Sequence, residues 1–123
     1  MQRKPQPVAT TAPYDEFAWL YDRHWGPHSL RKFSSILTEV LLPRLPARAR
    51  VLDVCCGTGQ ITRWLTDRGY RVTALDHSRA MLKYARKHAP RASFLLADAQ
   101  SFSLPPSQDA AVALFDSLNH ILT

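Results

Sequence analysis

Arg50-Val51-Leu52-Asp53-Val54-Cys55-Cys56-Gly57-Thr58-Gly59-Gln60 is the stretch from which the rest of the chain can be read. An apolar run leads to a carboxylate, then two small thiol residues, then Gly-Thr-Gly, then the start of a helical pattern. A buried strand that enters a glycine turn and opens a helix is the local geometry of a nucleotide-type cradle. The glycines permit a sharp turn and leave no Cβ between backbone and ligand.

Downstream the chain alternates. Helical spacing of Ile61, Trp64 and Leu65 predicts a helix over 59–68, with Gly69 as its C-terminal residue. A second short strand is expected over 71–75, ending at Asp76. Ser78 can cap a helix over 79–88, with Met81, Leu82 and Ala85 facing inward and Pro90 closing it. A third strand is expected over 92–96, ahead of Ala97-Asp98, and a very apolar fourth over 110–115 after a polar loop. This β-α-β-α-β-loop-β order predicts an α/β fold with a parallel sheet and right-handed crossovers.

Upstream, a helix is expected from Pro13 to about Trp25, with Tyr14, Phe17, Ala18, Tyr21 and Trp25 on one face. Gly26-Pro27 should end it. His24 and His28 have the spacing of a helical metal pair, but that break would separate them, so no metal site is assigned. A second helix over 29–42 carries Leu30, Phe33, Ile36, Leu37, Val40 and Leu41 as its apolar stripe. Residues 1–12 read as a disordered leader, since no apolar segment follows Arg3 and Lys4.

Asp53, Asp76 and Asp98 fall at or near the carboxyl ends of three successive strands, the edge where open parallel sheets bind ligands. Asp76, 23 residues beyond Asp53, suits a carboxylate accepting from two ribose hydroxyls. Asp98 sits where an adenine amino group could be read. A dinucleotide fingerprint wants Gly or Ala where Thr62 stands, and threonine there should push the helix away from strand and pyrophosphate. No Gly-Lys-Ser/Thr phosphate loop occurs. A cofactor without a pyrophosphate fits better.

Bulk properties narrow the class. The 123 residues suffice for one domain, and 46% hydrophobic with 21% charged residues is ordinary for a globular protein. No apolar run approaches a membrane span, so no membrane role is expected. The net charge of +6 fits an acidic substrate, nucleic acid or simply a solvated basic surface, and the last reading is preferred. The two cysteines are adjacent and poorly placed to pair, which suggests reduced thiols and a cytoplasmic protein.

Four segments together resemble the class I S-adenosylmethionine-dependent methyltransferases of small-molecule type. Val51 to Gly59 is similar to their first motif, and Val72 to Ser78 with Met81-Leu82 and Ala85-Arg86 to their second. Ala97-Asp98-Ala99 resembles the adenine-reading segment, and Asp109 to Asn119 the fourth-strand motif. Tyr14 to Asp22 is similar to their N-terminal helix. The resemblance implies a Rossmann-like sheet, here strands one to four of a seven-stranded fold, preceded by two N-terminal helices. Residues 13–123 would form the domain, with the helices over 13–46 and the cofactor-binding half over 50–123.

The same resemblance implies S-adenosylmethionine as cofactor and a small-molecule methyl acceptor. Gly57 and Gly59 would form the turn under the methionine part, and Asp53 would order that turn. Asp76 would bind ribose. His77 and Met81 would line the adenine pocket, and Asp98 with Ala99 would read adenine. Phe115, Asp116 and Ser117 would line the transfer end, with Asp116 the candidate catalytic residue. Tyr14 or Tyr21 would close over the cofactor, and no metal is required.

Cys55 stands where the motif has its first glycine. A small side chain should fit a strand-like backbone there and would fail only if the position needed positive φ. The family's remaining strands and most acceptor-binding residues are not in the chain, so the expectation is a fragment that needs its other half or a partner chain. The alternatives are a non-catalytic cofactor-binding fragment and an RNA- or DNA-directed methyltransferase.

Overall fold

The computed structural model describes residues 17–97 and 108–113. Four parallel strands form one sheet: β1 (Arg50–Val54), β2 (Arg71–Asp76), β3 (Ser93–Leu96) and β4 (Ala110–Ala113), in the order β3-β2-β1-β4. Helix α2 (Gln60–Asp67) joins β1 to β2, and α3 (Arg79–His88) joins β2 to β3. The alternation expected from sequence is therefore present, with boundaries shifted by a residue or two. The fourth-strand residues Leu114 and Phe115 lie outside the described residues.

β1 sits between two parallel partners, with Val51 opposite Val72 and Ala110, and Asp53 opposite Ala74 and Val112. Its successive residues Val51 and Leu52, which point to opposite faces, are both buried, and a strand buried on both faces reads as an apolar run rather than an alternation. Val51, Val72, Ala74 and Val112 pack with Ile61, Trp64 and Leu65 of α2 and with Leu37. Leu52 and Leu75, pointing the other way along their strands, are also buried.

The ends of α2 and α3 follow their sequence signals. The Ser78 hydroxyl accepts the Met81 N–H at 3.2 Å, capping α3. Arg86 and Lys87 occupy the last turn, where cations meet the unpaired carbonyls. Past α2, Gly69 takes φ +89 while its N–H and that of Arg68 close on Thr66 and Leu65 carbonyls.

The N-terminal region departs from expectation. Gly26-Pro27 does not break the helix. Helical backbone runs through residues 17–41: a π-helical turn at Tyr21–Trp25, helix α1 (Gly26–Ile36), and a second π-helical turn at Leu37–Leu41. A short 3₁₀ turn, Leu42–Arg44, follows. Each π turn stands just before a proline. The Gly26 N–H donates to the Tyr21 carbonyl and the Leu42 N–H to the Leu37 carbonyl, five residues back, and Pro27 and Pro43 come next. A proline has no N–H and its ring crowds the carbonyl four residues back; the wider turn relieves that crowding, so the rod continues. No break therefore separates His24 from His28, and no cluster of three or more metal-ligating side chains occurs among the described residues.

The face assignment changes as well. Ala18 is fully buried, but Phe17 and Trp25 are about half exposed, at 49% and 55%. Ile36 and Val40 face solvent, while Leu30, Phe33 and Leu41 pack partly against the core beside Leu37. The π turns rotate the apolar stripe, so a face drawn at regular 3.6 spacing misplaces its ends. No helix among the described residues is long and apolar enough to cross a membrane.

Candidate functional site

At the carboxyl edge of β1 and β2 the chain makes three left-handed turns within five residues: Cys55 at φ +57, Gly57 at +60 and Gly59 at +88. The expectation that cysteine fits a strand-like backbone at position 55 is thus corrected. The position does require positive φ, which for a residue with a Cβ costs about 1–2 kcal/mol. The turn carries the Cys56 N–H onto the Leu75 carbonyl at 2.9 Å and the Gly59 N–H onto the Cys56 carbonyl at 3.2 Å.

Each glycine has a distinct contact. A Cβ on Gly59 would lie 2.8 Å from the Ala85 Cα, so glycine lets the turn touch the backbone of α3. A Cβ on Gly57 would meet the Tyr21 ring at 3.0 Å, so Tyr21 lies directly over the turn.

The role of ordering the turn, expected of Asp53, falls to Asp76: its Oδ2 accepts the Gly57 N–H at 2.9 Å, and its Oδ1 accepts the Ser78 N–H at 3.0 Å. His77 Nδ1 stands 3.4 Å from the same Oδ1 with an otherwise exposed side chain. Asp53 is buried and accepts the Thr62 hydroxyl at 2.7 Å. Thr62 thereby ties the first turn of α2 to the end of β1 rather than pushing it away. Burial, reinforced by the nearby negative Asp76 and opposed by the Thr62 hydrogen bond, raises the Asp53 carboxyl to about 7.

Tyr21, Asp53, Cys55 and Cys56 line one cavity with Gly26, Ser29, Gln60 and Ile61. Its volume is about 20 Å³, room for a water or so and far short of a nucleoside. The Tyr21 phenol is raised to about 12 by burial and by Asp76 and Asp53, so it remains a proton donor. Burial likewise pushes the Cys56 thiol up, which argues against a thiolate nucleophile. Met81 is buried on the inner side of α3. Tyr14, Asp98, Ala99, Phe115, Asp116 and Ser117 lie outside the described residues.

A latch that sequence reasoning missed holds the N-terminal rod onto the turn. Thr58 Oγ1 donates to Gln60 Oε1 at 2.7 Å, and Gln60 Nε2 donates to Asp22 Oδ1 at 2.9 Å. His88 Nε2 meets the same Asp22 oxygen at 2.6 Å. Gly26 gives Gln60 its space, since a Cβ there would lie 2.3 Å from the Gln60 carboxamide. Asp22 is 38 residues from Gln60 and 66 from His88, so no local pattern announces the group. Thr62 had a signal: a hydroxyl in the first turn of the helix after a strand-end carboxylate.

Residues 51–123 match the family described as "Methyltransferase domain". The chain is 41% identical over 93 residues to a trans-aconitate 2-methyltransferase of Delftia acidovorans, covering 70% of this chain and 35% of that protein. It is 38% identical over 102 residues to a malonyl-[acyl-carrier protein] O-methyltransferase of Enterobacter lignolyticus, covering 81% and 38%. Among solved structures, SAM-bound CalS10, an amino pentose methyltransferase from Micromonospora echinaspora, aligns at a TM-score of 0.59 and 26% identity, covering 98% of this chain and 47% of that one. The chain therefore spans well under half the length of these curated relatives.

Proposed function

The chain belongs to the methyltransferase-domain family of class I S-adenosylmethionine-dependent enzymes, and from that premise we propose that its β1–β2 edge holds the cofactor for methyl transfer to a small-molecule acceptor in the cytoplasm. The observation that carries this is the pairing of a glycine turn with Asp76. An ionised carboxylate offers about four acceptor positions. Two are taken by the Gly57 and Ser78 N–H groups, one on each oxygen. Each oxygen keeps a second lone pair once the largely exposed His77 ring, 3.4 Å from Oδ1, swings aside, and the two suit the adjacent hydroxyls of a ribose. The missing side chain at Gly57 leaves room for a ligand where the Tyr21 ring now rests.

When bound, the cofactor supplies a sulfonium-borne methyl group and a good leaving group. The protein's part is alignment and exclusion of water. Asp76 fixes the ribose end and the turn at once, so cofactor orientation is coupled to the Gly57 backbone. Asp53 and Thr62 hold the start of α2 rigid beneath it. The Tyr21 rod must lift to admit a nucleoside, because the cavity beneath it is only about 20 Å³. The Asp22–Gln60–Thr58 latch is the contact that would release. Small-molecule acceptors are favoured by the names of the relatives, one of them a trans-aconitate enzyme. Asp116 remains the candidate for acceptor deprotonation.

Calorimetry with S-adenosylmethionine and S-adenosylhomocysteine tests the assignment. Saturable binding is expected, with Asp76→Ala abolishing it and Asp76→Asn, which retains one acceptor oxygen for the turn, weakening it at least about tenfold. Folded protein that gives no heat with either ligand sinks the reading.

A further inference from the structure

At the amino-terminal edge of the sheet, opposite the proposed cofactor edge, the chain gathers arginines. Arg50 opens β1 and Arg71 opens β2, and the two are direct register partners. Partners across parallel strands stand side by side, about 5 Å apart. With Arg91, Tyr70, Thr73 and Ser93 they line a cleft of about 340 Å³. A second cleft of about 320 Å³, lined by Arg48, Thr66 and Gly69, shares Tyr70 and Arg91 with the first.

The charge there is largely uncommitted. Arg91 pairs with Asp67 at 2.8 Å. The Asp109 carboxylate is bound by the backbone N–H of Arg50 at 2.8 Å, while the Asp109 N–H donates to the Arg50 carbonyl at 2.7 Å. This clamp fixes the main chain of Arg50 and leaves its guanidinium to the cleft. Among the described residues, no carboxylate forms an ion pair with Arg48, Arg50 or Arg71. Four arginines thus face two carboxylates. Arg48 also holds φ +60, a conformation that favours glycine or asparagine. A strained backbone that carries a charged side chain to a cleft motivates a functional reading.

We propose that this edge is a phosphate-binding cleft that takes a small molecule bearing a phosphate or pyrophosphate group. The guanidinium is the side chain suited to the purpose, a planar fork that donates two parallel N–H groups to a pair of phosphate oxygens. Arg50 and Arg71 grip one phosphate from adjacent strands, and Arg91 meets it from the start of β3. The Tyr70, Thr73 and Ser93 hydroxyls supply neutral donors around them. The clefts are open, so the attraction is screened by salt and the affinity falls as ionic strength rises.

The test is an amide chemical-shift titration of the ¹⁵N-labelled chain with sodium pyrophosphate at constant ionic strength. Saturable shifts are expected at Tyr70, Arg71, Thr73, Arg91 and Ser93. The double variant Arg50→Gln/Arg71→Gln should bind at least about tenfold more weakly with an unchanged urea midpoint, since both side chains are exposed. Absent shifts, equal affinity in the double variant, or shifts confined to residues 53–60 overturn the proposal. A single-stranded oligonucleotide that binds more tightly than pyrophosphate, with a steep salt dependence, also overturns it in favour of a nucleic-acid surface.

Discussion

Replacing Asp53 with Asn should change how stability depends on pH. The carboxyl is buried at the end of β1 and its pKa is raised from 3.8 to about 7, chiefly by desolvation. Below pH 3.8 it is neutral whether the chain is folded or not, and it contributes no pH dependence. Between 3.8 and 7 the unfolded chain ionises while the folded chain keeps its proton, so stability falls as pH rises. Above 7 both states are ionised and the loss is complete. Roughly three pH units at ~1.4 kcal/mol each make this about 3–5 kcal/mol, large beside the 5–15 kcal/mol of a typical domain. Asparagine keeps an oxygen for the Thr62 hydroxyl and cannot ionise. Its extra amide hydrogens add a penalty, but that penalty does not vary with pH. Urea unfolding followed by tryptophan fluorescence at pH 5, 6, 7 and 8 measures both proteins. The variant should gain on the wild type steadily from pH 5 to about 7 and then hold level. A stability difference that stays constant from pH 5 to 8 would refute the burial argument.

Other substitutions test the turn and its supports. Thr62→Val removes the hydroxyl that Asp53 accepts, and should cost about 1–3 kcal/mol in urea unfolding at pH 8. Gly59→Ala should cost more than Gly69→Ala: both glycines have positive φ, but only the Cβ at 59 meets backbone, at 2.8 Å from the Ala85 Cα, while the one at 69 meets open space. About 1–2 kcal/mol is expected at 69 and clearly more at 59, read as a difference in Tm. Cys55→Gly should be neutral or stabilising by up to ~1 kcal/mol, since relieved strain outweighs or balances glycine's entropy, whereas Cys55→Val should destabilise. Thermal melts of the pair decide it, and a strongly destabilised glycine variant would show that the thiol matters more than the backbone.

The sheet was legible because its signals are local. Buried parallel strands read as apolar runs, α2 and α3 have regular spacing, and Ser78 and Gly69 mark helix ends. The N-terminal rod was misread because Gly26-Pro27 normally stops a helix, and a π turn that absorbs a proline leaves no local trace. The two carboxylates were correctly placed at the strand ends, but the turn is held by Asp76, and Asp53 is bound by Thr62 instead. The Gly57–Asp76 bond spans 19 residues and depends on how far the turn reaches toward β2, which spacing alone does not give. Thr62 was weighed only as bulk against a pyrophosphate, so its hydroxyl was overlooked. The Asp22 latch joins three distant elements and became visible only once they packed.

The proposed methyl transfer rests on cofactor binding at the edge that holds Cys55–Gly59 and Asp76–Ser78. Amide chemical-shift mapping with S-adenosylhomocysteine tests it most directly. Saturable shifts are expected at Gly57, Thr58, Gly59, His77 and Ser78, with further shifts at Tyr21 and Asp22 as the rod lifts, and none at Arg50 or Arg71. Saturable shifts elsewhere with the Gly57 and Ser78 amides unmoved would contradict it.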